Sequence, residues 1–189
     1  MDLTIRNEYY LSICAYNCST MKIEKITIAD VPTLINLINS AYRGKGGWTG
    51  EGHLLQGARV NEQMLTTYLD NKNVSILKVT DDTNKIIGSV YLEVKGDKLY
   101  MGMLSVSPDA QNRQVGRILL EEVERFAKRH NCTVITITVI SVRYELIEWY
   151  ERRGFIKTGH VEPFPVDVYI GVPKEPLYLI EMEKGVKIN

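Results

Sequence analysis

Apolar positions recur along this chain with two periods, and the switches between them mark out the elements. Met21-Lys-Ile-Glu-Lys-Ile-Thr-Ile-Ala-Asp alternates apolar and polar residues, the pattern of a half-buried strand. From Asp30 the spacing lengthens: Val31, Leu34, Ile35, Leu37, Ile38 and Ala41 fall at helical intervals, with Pro32 near the start, where its missing N–H costs nothing. Asn61 to Leu69 predicts a short helix with Met64, Leu65 and Tyr68 on one side. Val74 to Val79 and Ile86 to Val94 predict strands joined by the turn residues Asp81-Asp-Thr-Asn84. Lys95-Gly-Asp-Lys98 then leads into an apolar run, Leu99 to Val106, too short for a helix and closed by Pro108 and Asp109. Connections this short make the three strands antiparallel neighbours.

The helical period returns at Val115, Ile118, Leu119, Val123, Phe126 and Ala127, with Glu121, Glu122, Glu124, Arg125, Lys128 and Arg129 on the other faces, and predicts a helix from Val115 to His130. Thr133 to Ile140 is a strand rich in β-branched residues. A strand-helix-strand unit of this kind implies parallel pairing through a right-handed crossover. Leu146, Ile147, Trp149 and Tyr150 predict another helix, with basic Arg152 and Arg153 in its last turn and Gly154 as the residue beyond its end. Phe155 and Ile156 open a further strand. The prolines of Val161-Glu-Pro-Phe-Pro-Val-Asp bar a central strand there, and Leu177 to Glu183 supplies the last one. The whole reads as an α/β (α+β) domain.

Composition narrows the partners. Lys+Arg and Asp+Glu both number 23, so the net charge is zero and no basic excess recommends nucleic acid. Cys14, Cys18 and Cys132 form no paired metal-ligand pattern; they read as reduced thiols of a cytoplasmic protein with no metal. No apolar run reaches the length of a membrane span, so no membrane partner is expected. Leu11 to Tyr16 is only a short apolar patch preceded by Asp2, Arg6 and Glu8, unlike a signal peptide. Residues 1–20 are therefore expected to be an N-terminal extension, and 21–189 a single domain.

The polar loop Gln111 to Gly116 opens directly into a helix, whose first N–H groups lie at the positive end of its dipole. With Arg113 and Arg117 beside it, this is an anion site in waiting or an ordinary strand-to-helix turn with hydrated amides.

Val106-Ser-Pro-Asp-Ala-Gln-Asn-Arg-Gln-Val-Gly-Arg-Ile-Leu-Leu120 resembles the acetyl-coenzyme A signature of the GNAT superfamily of N-acetyltransferases, Gln/Arg-x-x-Gly-x-Gly/Ala. Here it reads Gln111-Asn112-Arg113-Gln114-Val115-Gly116, with Gln114 in place of the first glycine. Gln serves there if its backbone angles are ordinary and its side chain points outward. A second stretch, Tyr150 to Gly154 and Phe155, resembles the family's Tyr-x-x-x-Gly-Phe motif, while the asparagine often found seven residues before the tyrosine is Arg143.

The resemblance spans roughly Met21 to Lys184. It implies a mixed, mostly antiparallel central sheet of six to seven strands with about four helices on both faces, splayed at the coenzyme site. It implies acetyl-CoA as cosubstrate: main-chain groups of Leu104, Ser105 and Val106 against the pantetheine arm, and the loop Gln111, Asn112, Arg113, Gln114, Val115, Gly116 and Arg117 on the pyrophosphate. A main-chain N–H near Val106 would face the thioester oxygen, and Tyr150 would protonate the departing thiolate, or else be a packed helix tyrosine with its hydroxyl at the rim. The glycine-rich stretch from Tyr42 to Leu55 becomes the acceptor-facing segment, with Trp48, Thr49, Glu51 and His53 as candidates. Trp48 is a wall of the acceptor site or part of the core, and His53 a ligand or a structural histidine. Glu51, Glu93 or a water relay remain open as the base. The loop from about His160 to Pro176 would border the same pocket. The expected activity is transfer of acetyl to a primary amine of a small molecule or amino-acid-like acceptor, by a monomer or homodimer. A coenzyme A-binding or regulatory protein without catalysis is the alternative. A doubly wound nucleotide-binding fold fits less well, because the β region opens with an antiparallel meander and lacks Gly-x-Gly-x-x-Gly.

Overall fold

A computed structural model describes residues 21–44, 50–165 and 171–188. Its sheet has seven strands: β1 (Lys22–Lys25), β3 (Val74–Thr80), β4 (Ile86–Lys95), β5 (Lys98–Val106), β6 (Val134–Ile140), β9 (Tyr178–Gly185) and β7 (Ile156–Pro163), in that spatial order. A separate two-stranded ribbon joins β2 (Leu55–Gln56) to β8 (Val172–Pro173). The helices are α1 (Val31–Arg43), α2 (Glu62–Asp70), α3 (Val115–Arg129) and α4 (Tyr144–Glu151), with short 3-10 segments at Ile28–Asp30 and Pro108–Ala110.

The two faces of the sheet carry different helices because side chains alternate along each strand. Val90 and Leu92 of β4 point to the face covered by α3 and α4, where Leu119, Val123, Phe126 and Ile147 complete the larger core. Tyr91 points the other way, into the cluster that α1 and α2 fill with Leu34, Ile38 and Leu65. Gly88 lets α3 settle closely: a Cβ there would come within 2.7 Å of the Val115 side chain. The antiparallel meander β3-β4-β5 and the parallel pairing of β5 with β6 stand as the pattern of the sequence predicts.

One boundary differs. The segment expected as a loop from His160 is strand as far as Pro163, which pairs with Tyr178. Proline is admissible because β7 is the edge of the sheet, where an N–H on the outer side has no partner to lose. The candidate extension, residues 1–20, lies outside the described residues.

Candidate active site

The site begins with a fork in the sheet. Strands β5 and β6 pair only from Lys98↔Val134 to Tyr100↔Thr136. Beyond that both run on, β5 still bonded to β4 as far as Val106↔Gly88 and β6 to β9 as far as Ile140↔Leu179, but no longer to each other. A bulge accounts for the divergence: Met103 and Leu104 together oppose Val90, and Met103 takes a φ of 47°. An extra residue bends the strand that carries it. The inner edges of β5 and β6 are thereby left facing a cavity of about 1060 Å³.

One end of the cavity is the start of α3. Ile118 N donates to Gln114 O at 3.0 Å, which makes it the first intrahelical bond, and the amides of Val115, Gly116 and Arg117 precede it. These three residues, with Gln111, Asn112 and Gln114, line the cavity. Gln114 does not keep ordinary angles. Its φ of 61° and ψ of 13° put it in the left-handed region, and Asn112 also has a positive φ, of 68°. The tight turn therefore keeps the geometry a glycine would supply, at a cost in strain. The Gln114 side chain does point outward, and its Oε1 accepts from Arg117 at 3.4 Å.

Arg117 is also paired with Glu121 at 2.9 Å, and Arg113 stands 4.0 Å from Asp81. A third guanidinium escaped the sequence reading. Arg153 lies 3.6 Å from the centroid of the Trp149 ring, donates to Trp149 O at 2.9 Å and lines the cavity. Burial and the charges of Arg152 and Arg117 lower its pKa, a crowding of positive charge that an anion relieves. Its position inside the Tyr-x-x-x-Gly-Phe motif was the available signal.

The middle of the cavity holds tyrosines. Tyr150 is 7 % exposed, packed edge-on against Trp149 and Phe155, and its hydroxyl has no hydrogen-bond partner among the described residues. Burial drives its pKa far up, with Tyr42 and Tyr100 adding to the rise, so the phenol stays protonated. Tyr42 donates to Leu104 O at 3.3 Å, and the Tyr100 hydroxyl meets Thr138 Oγ1 at 3.1 Å across the mouth of the fork. Neither tyrosine has a motif to announce it; the fold brings them in from α1 and β5.

The other end is a charge cluster. Glu51 is buried and lines the cavity, held by Arg43 at 3.0 Å and facing Arg143 at 3.9 Å. Burial pushes its carboxyl up, while Arg59, Arg43 and Arg143 pull it down without overcoming that rise. Arg143, in place of the family's asparagine, is itself buried and paired with Glu145 at 2.5 Å. Leu104 and Val106 line the cavity, whereas Ser105 turns inward to donate to Met103 O. His53 is exposed and outside the lining. Trp48 and Thr49 lie outside the described residues. Glu93 lines the cavity from β4, but Lys95 at 3.0 Å and the Tyr91 hydroxyl at 3.2 Å already engage it.

A forked sheet whose parallel strands embrace a cavity that ends on a helix N-terminus is an arrangement for a long ligand with an anionic tail. Residues 51–155 match the model of the Acetyltransferase (GNAT) family. The chain belongs to the GNAT acetyltransferase family. It is accordingly an acyltransferase, of a family that uses acetyl-CoA. Among solved structures, the GNAT chain is similar to ribosomal-protein-alanine N-acetyltransferase from Brucella melitensis, with a TM-score of 0.64 at 19% identity over 87% of this chain and 99% of that one. It is similar to the PaiA N-acetyltransferase of Thermoplasma acidophilum in complex with coenzyme A, with a TM-score of 0.63 at 20% identity, covering 87% and 98% of the two chains. A chimera of spermidine N-acetyltransferase from Vibrio cholerae and hSSAT gives a TM-score of 0.64 at 18% identity, covering 88% and 96%. At such identities these likenesses are of fold. No curated protein matches the sequence. No helix among the described residues is long and apolar enough to cross a membrane.

Proposed function

We propose that this GNAT protein transfers the acetyl group of acetyl-CoA to a primary amine of a small molecule, by direct attack within a ternary complex. The observation that carries the reading is the single cavity that runs from the α3 N-terminus, through the fork, to the Glu51 cluster. A coenzyme entering from one end and an amine from the other meet at the fork without a covalent enzyme intermediate.

In this reading the amides of Val115, Gly116 and Arg117 hold the pyrophosphate together with Arg153, and the free edge of β5 at Leu104 to Val106 pairs with the pantetheine arm. A main-chain N–H near Val106 meets the oxygen on which charge develops. Glu51 orients the amine and takes its proton, directly or through water. Tyr150 donates to the sulfur as the C–S bond breaks. A phenol held this firmly in its protonated form never ionises beforehand, so it is always ready as a donor.

Changing Tyr150 to Phe removes the proton donor and leaves the ring packing in place. Turnover with a responsive amine is expected to fall about 10²-fold, with the Kd for acetyl-CoA, read by titration calorimetry, within about twofold. Unchanged turnover would remove Tyr150 as the acid. Tight coenzyme binding with no turnover across a broad amine panel would instead favour a binding protein.

A further inference from the structure

The acceptor end of the cavity gathers guanidiniums, and among the described residues one of them has no carboxylate within ion-pair distance. Three guanidiniums, from Arg43, Arg59 and Arg143, surround two carboxylates, Glu51 and Glu145. Arg43 takes Glu51 at 3.0 Å, and Arg143 takes Glu145 at 2.5 Å while facing Glu51 at 3.9 Å. Arg59 is the one left over: among the described residues its guanidinium makes no ion pair within 4 Å and no side-chain hydrogen bond. Its charge acts from beyond the 4 Å of an ion pair and, with those of Arg43 and Arg143, pulls the Glu51 carboxyl down.

Arg59 is also aimed and anchored. Its backbone is fixed by Asn39, whose Oδ1 accepts from Arg59 N at 2.6 Å and Val60 N at 3.1 Å, while Asn39 Nδ2 donates to Val60 O. Arg59 is half-buried and lines the cavity, and its guanidinium carbon sits 5.4 Å from the Tyr42 ring centroid. Tyr42 in turn donates to Leu104 at the fork, so one ring separates Arg59 from the edge of the reacting centre. The cavity's remaining carboxylates do not serve it. Glu93 is engaged by Lys95, and Glu162 stands on the edge strand 3.9 Å from His160. A guanidinium without an ion pair presents its fork of donors to the cavity, and a planar anion is what that fork fits.

We infer that Arg59 is a specificity residue that receives a carboxylate of the acceptor, so that the acceptor is an amine that also carries a carboxylate, the amino-acid class, rather than a polyamine. This rests on the acetyltransferase reading, with Glu51 on the amine and Arg59 on the acid. A diamine would instead bring a second ammonium group against Arg59, a cation facing a cation.

The test separates the two readings by using products as well as substrates. N-acetyl amino acids and their carboxamides are titrated into the protein with coenzyme A present, and free amino acids, their carboxamides and their decarboxylated amines are compared as acceptors by thiol release. The wild type is expected to prefer the carboxylate form at least tenfold in both assays. Arg59→Gln is expected to abolish that preference through KM more than kcat, and Arg59→Lys to keep part of it. Retained coenzyme binding certifies that both variants are folded. Equal affinity for acid and amide, failure of either to bind, or a preference that survives Arg59→Gln would overturn the inference, even if amines are acetylated. An Arg59-dependent carboxylate preference in binding without any turnover would support the anion subsite and overturn the transferase reading instead.

Discussion

Gln114 shows what one side chain can conceal in a motif. Its position in the loop that opens α3 was legible from Gln111 to Gly116, but a sequence does not state φ, and the left-handed value of 61° emerges only from the turn's closure. Gln114→Gly is expected to be neutral or to stabilise by up to about 1 kcal/mol, because relief of the left-handed strain is partly offset by the greater freedom of glycine in the unfolded chain. Gln114→Val, β-branched in the same region, is expected to cost about 1–3 kcal/mol; chemical denaturation midpoints of the three proteins check the order. Glu51 was legible as a charged residue in a glycine-rich loop. Its guanidinium partners were not, since Arg43 and Arg143 reach it through folding and no motif links them to it.

Elements were the most legible scale, since each long one buries a continuous face and so repeats its apolar residues at the period of its backbone. Helix α3 and strands β3 to β6 fall within a residue or two of the spans that their periodicity predicts. The β2–β8 ribbon was not foreseen, because strands of two residues have no period to display. Local caps are a finer layer of the same code. At the start of α1, Asp30 accepts from the Thr27 amide at 2.8 Å and from Lys78 Nζ at 2.8 Å, tying the helix to β3. Burial raises the Asp30 pKa, but the hydrogen bonds from Lys78 and Thr27 outweigh it and leave the carboxyl below its ordinary 3.8. A depressed carboxylate contributes stability that is complete above the unfolded value and lost as pH falls through the folded one. Asp30→Asn is therefore expected to cost about 1–2 kcal/mol at pH 7 and to flatten the loss of stability below about pH 4, as followed by denaturant titration at several pH values.

At the scale of the molecule, the sheet order places β9 between β6 and β7 although it is the last strand along the chain. Met182 marks its centre: it is 0% exposed, lies opposite both Ile137 and Lys157, and belongs to the larger core. Met182→Ala is expected to cost about 2–5 kcal/mol by denaturant unfolding, with the acetyl-CoA affinity of the remaining folded protein unchanged. The order in which the strands reach the sheet also bears on synthesis. While the chain is being made, β6 beyond Thr136 has the fork on one side and nothing on the other until residues 178–185 arrive. The second prong of the fork therefore gains its outer hydrogen-bonding neighbour only from the strand that comes last of the sheet along the chain, so a cleft near the middle of the sequence depends on residues 178–185 for one of its walls.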